Sequence, residues 1–212
     1  MNVNFKSFKP YSYYQNKSIA KNEKPKLNKK ALLGSATGVL SGLVIGPQLV
    51  KMGKIKNNTV KEVVEMLSMA GLANLFSVLF ASFKEPNKEQ TNKKWREAGF
   101  QIMNTSIPML MVSGVNEFCN NSKNLNNKPA KIIGSIVGMV GGAALATKIT
   151  NLDKKEGEIK RKYSIKDSVA NFDDVVATIV IGFPQYQKLN SIAKSVLPFI
   201  YTYCGTRAGS KE

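Results

Sequence analysis

Residues 31–50 (ALLGSATGVLSGLVIGPQLV) are twenty consecutive positions without a charge, bracketed by Lys29, Lys30, Lys51 and Lys54. At the rise of an α-helix such a run measures about 30 Å, the thickness of the hydrocarbon core of a bilayer. Gly34, Gly38, Gly42 and Gly46 recur at every fourth position, which places them on one helix face. Each glycine costs a helix in water about 1 kcal/mol relative to alanine. A helix in lipid tolerates glycine, because association there depends on close van der Waals packing and on small residues at the contact. The run therefore predicts a membrane helix with a groove along one side.

A second ladder follows at Gly134, Gly138 and Gly142, and Ala146 continues the row. Two such ladders resemble the glycine-zipper helices of several membrane proteins and pore-forming peptides. The resemblance implies tight helix packing and defines no chemistry. The expected contact is between the two ladders within one chain, with self-association as the alternative. Gly34, Ser35, Gly38 and Gly42 also match Gly134, Ser135, Gly138 and Gly142 at an offset of one hundred. Shared glycine-rich composition accounts for these identities. The alternative is a duplicated three-helix unit with halves 31–119 and 130–205, the second inverted in the membrane.

Four more apolar segments are legible. Residues 66–83 follow a charged turn in which Thr59 and Glu62 have capping-box spacing. Residues 98–116 follow a charged connection at 84–97, with Trp95 at the interface position. The second ladder lies in the short run 132–147. Residues 175–187 and 189–204 are interrupted by Pro184, Lys194 and Pro198, and neither reads as a clear crossing. The expected fold is all-α: a polytopic helical membrane bundle of about 4–6 apolar helices. A disordered basic tail occupies residues 1–30, the helical membrane domain residues 31–205, and a short tail residues 206–212.

The chain has 31 Lys+Arg against 14 Asp+Glu, a formal net charge of +17. This excess favours anionic surfaces. Only Arg96, Arg161 and Arg207 are arginines, and the planar fork of arginine is what bidentate phosphate or base recognition usually requires. The expected partner is a bilayer with anionic headgroups, together with a second copy or a partner membrane protein; nucleic acid is disfavoured. In the tail, Phe5, Phe8, Tyr11 and Tyr14 alternate with Lys6 and Lys9, a composition suited to a membrane interface. Residues 1–30 contain no apolar run, so no secretory signal is expected there. If all six segments cross with the N-terminus in the cytoplasm, the inside pieces carry 22 of the basic residues and the outside pieces nine. The positive-inside rule expects that direction.

Chemistry is sparse. There is no histidine, which removes the commonest general base, the commonest metal ligand and the usual hydrolytic triad. Cys119 and Cys204 lack metal-ligand spacing, and no phosphate loop occurs. No enzyme activity, cofactor or metal is expected. Asp173 and Asp174 form a cation or proton site if they lie at membrane depth, and are first-turn acids if they lie at its boundary. Asn74 and Asn104, inside apolar segments, are candidates for hydrogen bonds between helices. Pro108 and Pro198 are read as plain kinks, or as a loop in the case of Pro198, with broken helices beside a cavity as the alternative. The second reading of the whole chain is a peripheral or soluble helical protein that binds anionic membrane or nucleic acid through its lysines. The hydrophobic content of 43% and mean hydropathy of −0.17 suit that alternative.

Overall fold

Asparagine sets the helix starts. In the computed structural model, which describes residues 28–83, 85–152, 160, 172–183 and 186–210, Asn28, Asn57 and Asn87 each stand immediately before a helix. The side-chain oxygen of each accepts hydrogen bonds from two otherwise unpaired backbone N–H groups of the first turn. Asn127 caps a fourth helix through the N–H of Ala130. The helix at residue 58 is therefore capped by Asn57, and the Thr59–Glu62 pair read from sequence lies inside it. The aromatic positions 5, 8, 11 and 14 fall outside the described residues.

Six helices are present among the described residues, and no strand: α1 (Lys29–Met52), α2 (Asn58–Ser82), α3 (Lys88–Asn121), α4 (Lys128–Leu152), α5 (Phe172–Gly182) and α6 (Gln187–Gly209). Three of them, α1, α2 and α4, are long and apolar enough to cross a membrane. α3 is longer than its apolar run. Its 34 residues span about 51 Å, because the charged stretch from Lys88 is already helical. Pro108 and Pro198 both lie inside continuous helices. The loop expected at Pro198 is absent, and α6 continues to Gly209, past the boundary drawn at residue 205.

α1 and α2 pack antiparallel as one pair, and α3 and α4 as another. α6 lies against α1 and α2 and also touches α3, while α5 is held by α3, α4 and α6. One core cluster runs through Met66, Met109, Val180, Leu197 and Tyr201, each on a different helix from the next except for the last two.

On α1 and α4 the distribution of side chains is inverted relative to a helix in a protein in water. On α1 the buried face is Ala31, Gly34, Ser35, Gly38, Val39, Gly42 and Gly46. The outward face carries Leu33, Leu40 and Val44, each at least 60% exposed. α4 repeats this, with Ser135, Gly138, Gly142 and Ala146 inward and Ile133 and Val137 outward. Small residues face the protein and large apolar ones face away, the opposite of what burial of apolar area in water selects.

At one end of the bundle, Lys94 is only 4% exposed and its ammonium donates to Glu85 at 2.9 Å, joining the α2–α3 connection to the second turn of α3. That hydrogen bond holds the Glu85 carboxyl below its ordinary value of 4.5. The backbone N–H of Asn87 and the charge of Lys30 act in the same direction, and burial opposes them. A depressed carboxylate contributes stability that is complete above its unfolded value and is lost as pH falls through its folded value. Thermal unfolding of the full chain in detergent should therefore show a loss of Tm on the acid side of 4.5 that is smaller in Glu85→Gln. An equal acid slope in both proteins would remove the pair from the account.

Candidate functional site

The first ladder meets the helix that follows it. A Cβ placed on Gly38 would collide with the backbone of Leu72 and lie 2.7 Å from the amide nitrogen of Ala73. On Gly42 it would lie 2.5 Å from the Cα of Met69, and on Gly46 2.9 Å from the Cα of Glu65. At Gly34 it would strike the carbonyl of Phe76. All four obstacles include backbone, which cannot move aside as the end of a side chain can. The second ladder meets the helix that precedes it. Gly142 lies over Pro108, with 2.5 Å from its added Cβ to the Cα of that proline, and Gly138 lies over Val112 at 3.0 Å. Gly134 approaches the side chain of Val115, and Ala146 is fully buried.

The two ladders do not touch each other: α1 and α4 make no contact among the described residues. This corrects the expected ladder-to-ladder contact. The physical reason is that each groove is filled by an adjacent helix joined through a short turn, which loop closure favours over a distant one.

A third close approach was missed. Gly205 and Gly209, again four apart, seat α6 in the seam between α1 and α2. Their added Cβ atoms would lie 2.7 Å from the carbonyl oxygens of Ala73 and Ser77 respectively. The hydroxyl of Ser35 donates to the Thr202 carbonyl at 2.8 Å, and that of Ser77 to the Ala31 carbonyl at 3.0 Å. These serines link α1 to α6 and α2 to α1, the role read for Asn74 and Asn104. Asn74 is buried, but its amide donates to Ala70 on its own helix, and its carbonyl oxygen meets no donor among the described residues. Asn104 is buried on α3. The spacing Gly205–Gly209 was the available signal for the third seam, hidden by the run of mixed polarity around it.

α5 is only 11 residues, about 16 Å, and its C-terminal end lies inside the protein. Buried helix ends need partners for their last carbonyls. Here two asparagine amides supply them: Asn190 donates to the Val180 carbonyl at 2.8 Å, and Asn116 to the Ile181 carbonyl at 3.4 Å. Asn116 in turn accepts from Ser135 at 3.3 Å, and Ser135 packs directly against Gly182. Asp174 lies in the first turn of α5 and is 1% exposed. It is seven residues before Ile181, hence about 10 Å along the helix from the level of Asn116. Asp174 is thus a first-turn acid that is also buried among the helices. The side chain of Asp173 lies outside the described residues.

The α1–α2 turn is the other chemically distinct feature. The N–H of Lys54 bonds to the Lys51 carbonyl, and that of Ile55 to the Val50 carbonyl, closing α1 in a Schellman turn. The left-handed position of that turn is Lys54 (φ 49°), while Gly53 before it is right-handed. Glycine occupies that position at no steric cost, whereas any other residue there costs on the order of 1 kcal/mol. Lys51, Lys54, Lys56 and Lys61 line an open groove here, together with Glu65.

Among the described residues no group of three or more metal-ligating side chains converges, and Cys119 and Cys204 are both thiols outside any disulfide. Compared with known proteins, the chain matches no family model, no curated protein and no solved structure.

The ladder geometry makes a paired prediction. Gly38→Ala forces α1 and α2 apart and should destabilise the protein by about 1–3 kcal/mol, the usual cost of overpacking. Gly71→Ala, where an added Cβ meets nothing, should be neutral or stabilise by up to about 1 kcal/mol. Denaturation of both variants in the same detergent reads the difference, and equal stabilities would contradict the close approach.

Proposed function

We propose that this chain is a non-catalytic integral membrane protein, a multi-pass helical bundle whose spans pack through glycine-lined contacts. One observation carries the reading: the inverted burial of α1 and α4, with glycine, serine and alanine inside and leucine, isoleucine and valine outside. In water that surface would drive aggregation, and in lipid it is matched by acyl chains. The length and hydropathy of α1, α2 and α4 support the same reading. We infer a cytoplasmic N-terminus from the lysine excess of residues 1–30, 84–97 and 148–168 in the sequence.

Within this class the bundle acts as a component of a channel or transporter. Two features support that role over a passive scaffold. α5 is a half-length helix with one end buried among its neighbours, the form that discontinuous helices take at transport sites. Asp174 places an ionisable group in the bundle interior, where a carboxylate is expensive to keep and is retained mainly for ion or proton handling.

Alkaline carbonate should leave the protein in the membrane pellet. Release into the supernatant would favour a peripheral protein held by its lysines and would end the integral reading. For the narrower role, the full chain in sealed vesicles should pass protons or monovalent cations, and Asp174→Asn should abolish the flux while helical content by circular dichroism stays unchanged. Flux that is absent in the parent, or unaffected by the substitution, would return the protein to a scaffold.

A further inference from the structure

The groove at the α1–α2 turn combines features that the packing account does not use. It has a volume of about 610 Å³ and is lined by Pro47, Val50 and Ile55 together with Lys51, Lys54, Lys56, Lys61 and Glu65. Four lysines and one glutamate thus line the same groove. Among the described residues none of these lysines forms a salt bridge, and the one polar contact is from Lys61 to the side-chain oxygen of Asn58 at 3.2 Å. The site therefore holds an uncompensated positive charge at the end of two helices that are apolar enough to span a membrane.

Its apolar lining gives the charge a direction. Pro47 and Val50 continue along α1 into the outward face of Leu43, Val44 and Leu40, all exposed. A ligand that fits both parts has an anionic head and a long apolar chain. Lysine suits such a head, because its ammonium is a mobile point charge that meets a phosphate without the planar geometry of a bidentate fork. The left-handed backbone at Lys54 is a second sign of a selected position: a non-glycine residue stands where glycine would be unstrained, directly after a glycine that is not used for it.

We propose that this groove is a binding site for an anionic phospholipid, whose phosphate lies among Lys51, Lys54, Lys56 and Lys61 and whose acyl chain follows Pro47 and Val50 onto the outer face of α1. The proposal rests on the membrane reading. It names the first two spans as the lipid-binding element and their connecting turn as the source of headgroup preference.

The test uses native mass spectrometry of the full chain in a neutral detergent, with phosphatidylglycerol or phosphatidylcholine added as probe. The parent protein should retain the first phosphatidylglycerol roughly tenfold more tightly than phosphatidylcholine, because the four lysines attract the net negative charge that only the first head carries. The quadruple variant K51Q/K54Q/K56Q/K61Q should lose most of that preference. K123Q/K128Q/K131Q/K188Q removes the same charge at the same end of the bundle and should keep it. The corresponding quadruple arginine variant at the groove keeps the charge and should also keep the preference, which separates lost binding from lost folding. Equal losses in the two glutamine variants would mean a diffuse field and overturn the site. Displacement of phosphatidylglycerol by inorganic phosphate at equal concentration would mean a soluble-anion site and overturn the lipid assignment. Because the preference is read in detergent, its absence is distinguishable from failure of the membrane reading, which carbonate extraction decides separately.

Discussion

Backbone-to-backbone approach of α1 and α2 is the contact on which the rest of the bundle depends. At Gly38 and Gly42 the two main chains come close enough that a single added carbon would overlap the partner's backbone. Nothing hydrophobic need drive this in lipid, where apolar side chains lose nothing by facing acyl chains. What favours the pair is dispersion between closely fitted surfaces, each contact small and the sum substantial. The same economy explains why the outer face of α1 is large and apolar while its inner face has almost no side chains.

The tight pair creates the site for the next layer. α1 and α2 lie so close that a shallow seam forms above them, and only a helix equally poor in side chains can enter it. Gly205 and Gly209 allow α6 to do so, and the hydroxyls of Ser35 and Ser77 then reach main-chain carbonyls across the contacts. A hydroxyl here is both small and able to donate, which a larger amide is not. α3 and α4 form their own glycine-lined pair, and α5 fills the space left between them and α6, with Asn116 and Asn190 completing the hydrogen bonds of its buried end. The asparagines of this chain thus do two kinds of structural work: they start helices in the turns and finish one in the interior.

Much of this was legible in the residues, unevenly. The apolar runs at 31–50, 66–83 and 132–147 mark helices because length and absence of charge are properties of the run itself. The faces of the two ladders follow from a spacing of four. Which helix fills each groove does not follow, since a glycine face accepts any closely fitting partner and carries no address. α3 was read too short because charged residues at 88–97 masked helix continuity that a membrane-depth criterion cannot see. α6 was not read as a clear crossing because Pro198 and Lys194 interrupt its hydropathy. Its proline is accommodated within the helix, and Lys194 reaches outward to Glu62 on α2. Membrane depth and membrane boundary were the two readings of Asp174 open from sequence; its burial within the protein depends on where α5 sits between α3, α4 and α6, a long-range placement with no local signature.

The central claim is that the outward leucine and valine face of α1 is a lipid-facing surface. Its direct test places a single tryptophan at Leu40, with Trp95 replaced by phenylalanine, in vesicles whose acyl chains carry bromine at known depths. The account predicts a blue-shifted emission that bromine quenches strongly near mid-chain and that aqueous iodide leaves almost untouched. Emission quenched by iodide and indifferent to brominated lipid would place that face in water and contradict the account.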